Sequence, residues 1–336
     1  MSEFPLPRRL HNARGDIRRV GIELEFAGVD IDQICAIIVE LYGGSVSELS
    51  RFEKRVVGTA WGDFDVEIDL LLLKERSYLK FLDFMGVDLS DESLAQAEDL
   101  LARVASTLVP HEIGSPPLPM TEAWRTERLR ERLQQAHALG TKASLRYAFS
   151  LQFNPEAPAF DADTLLAYLR AFLLLVDWLQ QRSQVAIARR LSPFVNDFPQ
   201  AYVRRVLDPG YRPSIEQLID DYVDYNPTRN RPLDMLPLLA HIAGERVCRD
   251  LGEHKVKNKP RPTFHYRLPN CLIDDPDWTI AQEWAGWVAV DDLAQAPDKL
   301  AAMSEDFQRH RSQWTLGYDE GWANRVADTW LERGAR

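Results

Sequence analysis

Cysteine and positive charge are both scarce in this chain of 336 residues. The three cysteines, at positions 35, 248 and 271, have neither the spacing of metal ligands nor the even number of a disulfide framework, which favours a reducing compartment. Lysine and arginine together number 40, against 51 aspartate and glutamate residues, and the net charge is -11. Because nucleic-acid-binding proteins generally carry a surplus of basic residues, this balance argues against nucleic acid as a partner.

Long apolar runs are also missing. The most apolar segment, residues 165–179, is interrupted by Arg170 and Asp177 and is too short to span a bilayer, so we interpret it as a buried helix and expect no membrane partner. The first 16 residues lack the apolar core of a signal peptide, and together with the sparse cysteines this predicts a cytoplasmic protein. Neither the Walker A pattern nor the glycine-rich dinucleotide-binding fingerprint is present.

Several short segments alternate between apolar and polar residues. In VGIELEF, residues 20–26, every second residue is apolar, and Glu23 and Glu25 fall on the other side. This period of two predicts a half-buried strand that places two carboxylates next to each other on its polar face.

The remaining elements are predicted from the same kinds of signal. A helix is expected over residues 30–42, where Asp30 can cap its start and Gly43 and Gly44 stop it. The further predicted elements are a strand at 45–59, a turn near 58–61, a strand at 61–73, a helix at 90–108, an extended segment at 110–119, a helix at 121–138, a strand at 147–156, mainly helix up to 261, a strand at 261–270 and helix beyond it. Strands scattered between helices predict an α+β fold with a largely antiparallel sheet.

The predicted strand at 61–73 has an unusual polar face. In WGDFDVEIDLL the acidic residues occupy alternate positions, and they are Asp63, Asp65, Glu67 and Asp69. Other extended segments also place polar residues on one side, and these are Glu112, Ser150, Gln152, Asn154, His265 and Arg267. A solvent-exposed sheet face would explain each segment alone. Together they favour a site for a divalent cation shared with the phosphates of a nucleotide, because crowded carboxylates repel one another unless a cation such as Mg²⁺ neutralises them.

Arginines are candidates for the opposite charge. Arg229 and Arg231 lie in the segment YNPTRNR, and Arg267 lies on the same predicted strand face as His265. Arginine binds phosphate through a bidentate fork and stabilises transferring phosphoryl groups. A surface salt bridge is the alternative for any one of them, and we favour a functional role for Arg267 because its strand is otherwise apolar.

These motifs, in this order, resemble those of the amidoligase family, the carboxylate–amine ligases that share the glutamine synthetase and glutamate–cysteine ligase fold. RRVGIELEF resembles the family's opening strand with its E-x-E pair, and WGDFDVEID resembles its W…D strand. PHEIGSPPLP is similar to its E-hydrophobic-x-S-P-P-L element. SLQFNPE, NPTRNRPLDM and TFHYR stand where the family has its later His-, Asn- and Arg-bearing elements. The ordered set spans residues 18–270, which is most of the chain.

The resemblance implies a glutamine synthetase-like catalytic domain, in which helices flank an antiparallel sheet with a concave acidic face. This domain would cover residues 14–290, with a helical insertion at about 160–255. A flexible tail at 1–13 would precede it, and a helical C-terminal extension at 291–336 would follow it.

The resemblance also implies a site for ATP and for Mg²⁺ or Mn²⁺. The metal ligands would be Glu23, Glu25, Asp63 or Asp65, Glu67 and Glu112. The cofactor-binding residues would be Arg267, Arg229, Gln152 and Asn154. Two departures from the family pattern leave the number of metal ions open. A serine and two amides replace a His-x-His-like pair on the strand at 147–156, and His265 replaces an acid.

We therefore predict an ATP-dependent carboxylate–amine ligase. Phosphorylation would convert a poorly electrophilic carboxylate into an acyl phosphate, which the amine of an amino acid, a peptide or another small molecule would attack. The candidate catalytic residues are Arg267, Arg231 and Asp69, the last as one candidate base for the amine. Two alternatives stay open, a metal-dependent hydrolase that uses the same acidic residues and a binding protein with a decayed ligase fold.

Overall fold

The computed structural model describes residues 4–50, 52–68, 110–141, 149–183, 196–251, 260–310 and 319–331. Within these ranges the chain is α+β, with nine strands in one antiparallel sheet and nine α-helices. The strands are β1 (Arg19–Phe26), β2 (Ser45–Ser50), β3 (Glu53–Thr59), β4 (Gly62–Ile68), β5 (His111–Gly114), β6 (Leu118–Pro119), β7 (Leu151–Pro155), β8 (Leu233–Asp234) and β9 (His265–Tyr266). The helices are α1 (Ile31–Tyr42), α2 (Thr126–Gln135), α3 (Ala162–Arg182), α4 (Gln200–Leu207), α5 (Ile215–Tyr225), α6 (Leu236–Leu251), α7 (Ile280–Ala294), α8 (Pro297–His310) and α9 (Glu320–Arg325).

β1 lies in the middle of the sheet. The strand order is β2-β3-β4-β5-β1-β7-β9-β8, and the short β6 pairs with the start of β1. The predicted strands at 20–26, 61–73, 147–156 and 261–270 therefore all contribute to one sheet, as β1, β4, β7 and β9. This confirms the predicted α+β class and the antiparallel pairing.

Helix α1 covers one face of this sheet and confirms the predicted helix at 30–42. The Asp30 side chain accepts a hydrogen bond from the backbone N–H of Asp32, and the helix ends at Gly43, whose φ is 76°. The helix packs against β3 and β4, where Tyr42 stacks on Phe64 with ring centroids 5.3 Å apart. The apolar residues of β4 thus face α1, and its acidic residues point to the other side of the sheet.

The prediction of a single strand at 45–59 is wrong. This segment forms two strands, β2 and β3, which pair antiparallel with Ser45 opposite Val57 and Ser50 opposite Glu53. The sequence between Ser50 and Glu53 has no glycine, proline or asparagine that would mark a break between two strands.

The segment at 261–270 is less regular than predicted. Within it only His265–Tyr266 is a strand, and single bridges join Thr263 to Glu156 and Asn270 to Ser150. Prolines at positions 262 and 269 explain this, because proline has no N–H to donate to a neighbouring strand. β8 was also not predicted, since residues up to 261 were expected to be mainly helical.

The helix predicted at 121–138 is shorter and begins later. A 3₁₀ helix covers Met120–Arg125, and α2 follows it over Thr126–Gln135. The predicted helix at 90–108 and the end of the predicted strand at 61–73 lie outside the described residues.

The most apolar segment, residues 165–179, lies in α3, and its buried leucines and aromatic residues confirm a buried helix. Among the described helices, none combines the length and the apolar character that a membrane crossing requires.

The C-terminal helices are tied to β1 through a buried ion pair. Arg18 Nη2 lies 2.8 Å from Asp291 Oδ2 on α7, and both side chains are fully buried. The N-terminal residues contact the same helix, since the indole N–H of Trp284 donates to the carbonyl of Pro5 at 2.8 Å. The predicted domain boundary between residues 290 and 291 falls inside α7 and stays a prediction.

Candidate active site

The strand register aligns carboxylates across the face of the sheet that α1 leaves uncovered. Glu53 on β3 is opposite Glu67 on β4, Glu67 is opposite Glu112 on β5, and Glu112 is opposite Glu25 on β1. Residues opposite each other in an antiparallel sheet project to the same side, with Cβ atoms about 5 Å apart. Four glutamates from four adjacent strands therefore form one line, which we call the glutamate row.

A second line of residues runs beside the glutamate row. It consists of Arg55, Asp65, Gly114, Glu23 and Gln152, from β3, β4, β5, β1 and β7. The glycine in its middle leaves room above the sheet, since a Cβ built there would meet only the Cβ of Asp65 at 3.8 Å. The two lines together place most of the sequence-predicted metal ligands on one surface.

A cavity of about 970 Å³ lies over this surface. Its acidic lining residues are Glu23, Glu53, Asp63, Asp65, Glu67, Glu112 and Glu156. Its basic lining residues are Arg14, Arg19, Arg55 and Arg261. Trp61, Asn154 and the Ser115–Pro117 segment also contribute to the wall. The cavity thus brings together charges of both signs from the N-terminal half of the sheet and from the segment just before β9.

Glu23 lies inside the cavity and is held by two donors. Its Oε1 accepts a hydrogen bond from Asn154 Nδ2 at 2.8 Å and lies 3.3 Å from Arg261 Nη1. Asn154, which the resemblance implies as a cofactor-binding residue, thus contacts a predicted metal ligand, and its contact with a cofactor stays a prediction.

Glu25 is held in a similar way by β7 and the residue before it. Gln152 Nε2 donates to Glu25 Oε1 at 2.7 Å, and the backbone N–H of Ser150 donates to Oε2 at 2.8 Å. The two amides that stand in the place of the expected histidines, Gln152 and Asn154, thus act as uncharged donors to the E-x-E pair.

His265 fixes the orientation of the Asn154 amide. Its Nδ1 lies 2.5 Å from Asn154 Oδ1, and because the Asn154 oxygen can only accept, His265 Nδ1 is the donor. Burial lowers the pKa of His265 well below its ordinary value of 6.5, and the nearby cations of Arg267, Arg229 and Arg261 lower it further. The imidazole is therefore neutral in the folded protein.

The acids of β4 have different partners. Asp65 Oδ1 accepts from Arg55 Nε at 2.6 Å, and Asp63 Oδ1 accepts from the backbone N–H of Gly58 at 3.0 Å. Glu67 lies between Glu53 and Glu112 in the glutamate row. Asp69 lies outside the described residues, so its predicted role as a base stays a prediction.

The arginines chosen from the sequence lie elsewhere. Arg267 Nη1 donates to the carbonyl of Arg229 at 2.8 Å, and Arg229 Nε donates to the buried Asp234 at 2.8 Å. Arg231 donates to Asn226 Oδ1 at 2.9 Å and to backbone carbonyls. Among the described residues that line the cavity, these three arginines do not occur. Their predicted roles stay predictions, and the cavity has other cations.

Residues 16–289 match the model of a family described as "Putative amidoligase enzyme". The chain belongs to this amidoligase family. Searches of curated proteins and of solved structures found no match. The matched region contains the whole glutamate row and every acidic residue of the cavity. Family membership supports an amide-bond ligase, in agreement with the resemblance found in the sequence.

The cavity also contains residues that the sequence motifs did not indicate. Arg55 and Glu53 belong to β3, for which no polar face was predicted. Arg261 stands at the start of the segment 261–270, whose polar face was predicted to consist of His265 and Arg267. Trp61 lies on the cavity wall and stacks on Arg125, whose guanidinium carbon is 4.6 Å from the Trp61 ring and 4.7 Å from that of Trp124. The alternating pattern of β3 could have pointed to Glu53 and Arg55, whereas Arg125 contacts Trp61 and is not among the described residues that line the cavity.

The donor chemistry of the cavity suits a hard divalent cation, because carboxylate oxygens are the ligands that Mg²⁺ prefers. Among the described residues, however, no group of three or more His, Cys, Asp or Glu side chains is already placed to hold a metal ion. Glu23 and Glu25 are held by donors from β7, and Glu23 also by Arg261. Binding of a cation would therefore bring carboxylates of the cavity closer together.

Proposed function

We propose that this member of the amidoligase family is an ATP-dependent carboxylate–amine ligase of glutamine synthetase-like fold, and that the cavity over the glutamate row is its active site. The observation that carries the proposal is the line of Glu53, Glu67, Glu112 and Glu25 across four strands, beneath a cavity with arginines on its wall. Such a concentration of like charge is unfavourable without a bound cation. The family match supports the amide-bond-forming reaction.

The reaction we propose proceeds through an acyl phosphate. A carboxylate is a poor electrophile, and transfer of the terminal phosphoryl group of ATP to it creates a good leaving group that an amine displaces. Bound Mg²⁺ or Mn²⁺ would neutralise the phosphate charge. The residues that would hold it are Glu23, Glu25, Asp63 or Asp65, Glu67 and Glu112. Arg267, Arg229 and Arg231 remain candidates for phosphate contacts, provided that they leave their present partners within the protein.

We further propose that the acid and amine substrates are small molecules or peptides. The cavity of about 970 Å³ is large enough for a nucleotide together with a small substrate, because ligand pockets typically measure about 300–1,000 Å³. The cytoplasm as the location, and the absence of nucleic-acid and membrane partners, stay predictions from composition.

The test combines binding and turnover. ATP should raise the melting temperature only when Mg²⁺ or Mn²⁺ is present, and ADP release should depend on a pool of amino acids, peptides or small amines. Glu67→Gln and Glu112→Gln should abolish both effects, because each removes an oxygen ligand and its charge. Glu305→Gln, an exposed change on α8, is the matched control and should change neither.

Two outcomes would contradict the proposal. No binding of ATP in millimolar Mg²⁺ would argue for a decayed site. Metal-dependent hydrolysis of a substrate without any nucleotide would favour the hydrolase alternative.

A further inference from the structure

Arg261 is a cation on the cavity wall, and among the described residues its guanidinium pairs with Glu23, a predicted metal ligand. Its backbone N–H donates to the carbonyl of Pro237, which anchors the segment before β9. Its guanidinium reaches β1, where Nη1 lies 3.3 Å from Glu23 Oε1. The Arg261 and Glu23 side chains are 49% and 14% exposed, so the carboxylate is sheltered while the guanidinium opens into the cavity.

This ion pair can exchange partners easily. A pair with one half-exposed member contributes little to stability, so little is lost when it separates. The other candidate arginines differ in this respect. Arg229 is bound to Asp234, which is fully buried, and Arg231 is itself buried among backbone carbonyls. Releasing either would leave buried polar groups without their partners, which is costly.

The partner of Glu23 affects cation binding because Glu23 is a predicted metal ligand. Glu23 is opposite Gly114 and Gln152, beside the glutamate row, and it is the E-x-E residue that lines the cavity. While Arg261 neutralises this carboxylate, its positive charge opposes the approach of a divalent cation. A guanidinium displaced by a cation would be repelled by it and attracted to a nearby polyanion.

We propose that Arg261 exchanges Glu23 for the phosphates of the nucleotide. In the structure Arg261 supplies the countercharge of Glu23. When a divalent cation takes its place there, Arg261 contacts the phosphate groups, for which its planar fork of donors is suited. This inference rests on the proposed function, and it adds a specific consequence. Metal and nucleotide should bind with positive coupling, because each favours the same position of Arg261.

Calorimetry on the full chain tests the exchange with two probes, Mn²⁺ alone and ATP in millimolar Mg²⁺. Arg261→Ala should bind Mn²⁺ alone several-fold more tightly than the wild type, since a competing cation is gone. It should bind Mg²⁺–ATP about tenfold or more weakly, since charge-assisted hydrogen bonds to phosphate are lost. If Arg261 had only a structural role, Arg261→Ala would weaken the binding of both ligands or of neither. Tighter binding of Mn²⁺ together with weaker binding of Mg²⁺–ATP therefore identifies the exchange.

Arg132→Ala is the matched control. Arg132 is likewise paired with a carboxylate, Glu40, but it lies on α2 and is not among the described residues that line the cavity. Its removal should leave the affinities for Mn²⁺ and for Mg²⁺–ATP within about threefold of the wild type.

Glu23→Gln provides a second readout that does not depend on the arginine variant. It releases Arg261 without any metal, so ATP binding in the presence of EDTA should become several-fold tighter than in the wild type. Unchanged or weaker metal-free binding in Glu23→Gln would overturn the exchange.

The results separate the inference from the proposed function. If the wild type does not bind Mg²⁺–ATP at all, the proposed function fails. If the wild type binds it and Arg261→Ala binds it equally well, the exchange is wrong and the proposed function stands.

Discussion

At the level of single residues, two amide side chains of β7 face the two glutamates of β1. Asn154 donates to Glu23, and Gln152 donates to Glu25. An uncharged amide N–H donates a hydrogen bond to a carboxylate without neutralising its negative charge. The two glutamates can therefore be held in place and still attract a cation. In the structure both amides thus contact predicted metal ligands, and their predicted contact with a cofactor stays a prediction.

Glu25→Gln should destabilise the protein by about 1–2 kcal/mol, because one of two donors would face an amide N–H₂ group instead of an oxygen. The donors are Gln152 Nε2 and the backbone N–H of Ser150. The double variant Glu25→Gln, Gln152→Glu reverses donor and acceptor and should recover most of the loss. Urea unfolding measures both changes. Equal stability of Glu25→Gln and the wild type would show that these hydrogen bonds do not hold the carboxylate.

His265 should make stability depend on pH. Burial and three neighbouring arginines hold its pKa well below 6.5 in the folded protein, while the unfolded chain binds a proton near pH 6.5. Its stabilising contribution is therefore complete above that pH and is lost as the pH falls below it, by up to about 1.4 kcal/mol per pH unit.

His265→Asn keeps a donor toward Asn154 and removes the titrating ring. Unfolding free energies measured between pH 7 and pH 5 should decrease less steeply for this variant than for the wild type. Identical slopes would mean that the ring is protonated in the folded protein as readily as in the unfolded chain.

At the level of secondary structure, local signals decide where some elements end. Helix α1 begins and ends where its capping residues predict, because a carboxylate at Asp30 and a glycine at position 43 act through neighbouring backbone groups. The boundary between β2 and β3 has no such signal, and it depends on how the two strands pair.

The two glycines after α1 should differ in their tolerance of a side chain. Both have positive φ, 76° at Gly43 and 89° at Gly44, so alanine is strained at either position, by on the order of 1–3 kcal/mol. A Cβ at Gly43 would meet no atom within 4 Å, whereas one at Gly44 would lie 2.5 Å from the carbonyl oxygen of Val57. Gly44→Ala should therefore lower the free energy of unfolding more than Gly43→Ala in urea titrations. Equal losses of unfolding free energy in the two variants would show that β3 moves away from the added Cβ without a cost in stability.

At the level of the whole molecule, the ion pair of Arg18 and Asp291 joins the start of β1 to α7. Neither side chain is exposed, and Arg18 also donates to the carbonyls of Glu156 and Arg9. Burial raises the pKa of Asp291, and the Arg18 guanidinium opposes that shift. The pair therefore connects the central strand of the candidate active site with the C-terminal helices.

Arg18→Met should cost about 3–5 kcal/mol of stability, because it leaves a buried carboxylate without its partner. Arg18→Met combined with Asp291→Leu should recover much of this loss, since no buried charge remains. Chemical unfolding of both variants measures the difference. A single variant as stable as the wild type would show that Asp291 is not charged in the folded protein.

The sequence by itself determined the strands β1 and β4, helix α1, the α+β class and membership in the amidoligase family. These follow from alternation, caps and ordered motifs, all of which act over a few neighbouring residues. It also identified the acidic positions on β1, β4 and β5, because a period of two assigns each residue to a face.

Only the tertiary structure decided which of these residues meet. Glu53, Glu67, Glu112 and Glu25 align because three strand pairs take a particular register, which one strand alone does not encode. Arg261 reaches Glu23 across 238 positions of the chain, while Arg267 turns to the carbonyl of Arg229. The physical reason is that an arginine pairs with whichever partner the packed chain brings within its reach, and that partner is set by contacts between distant segments rather than by its neighbours in sequence.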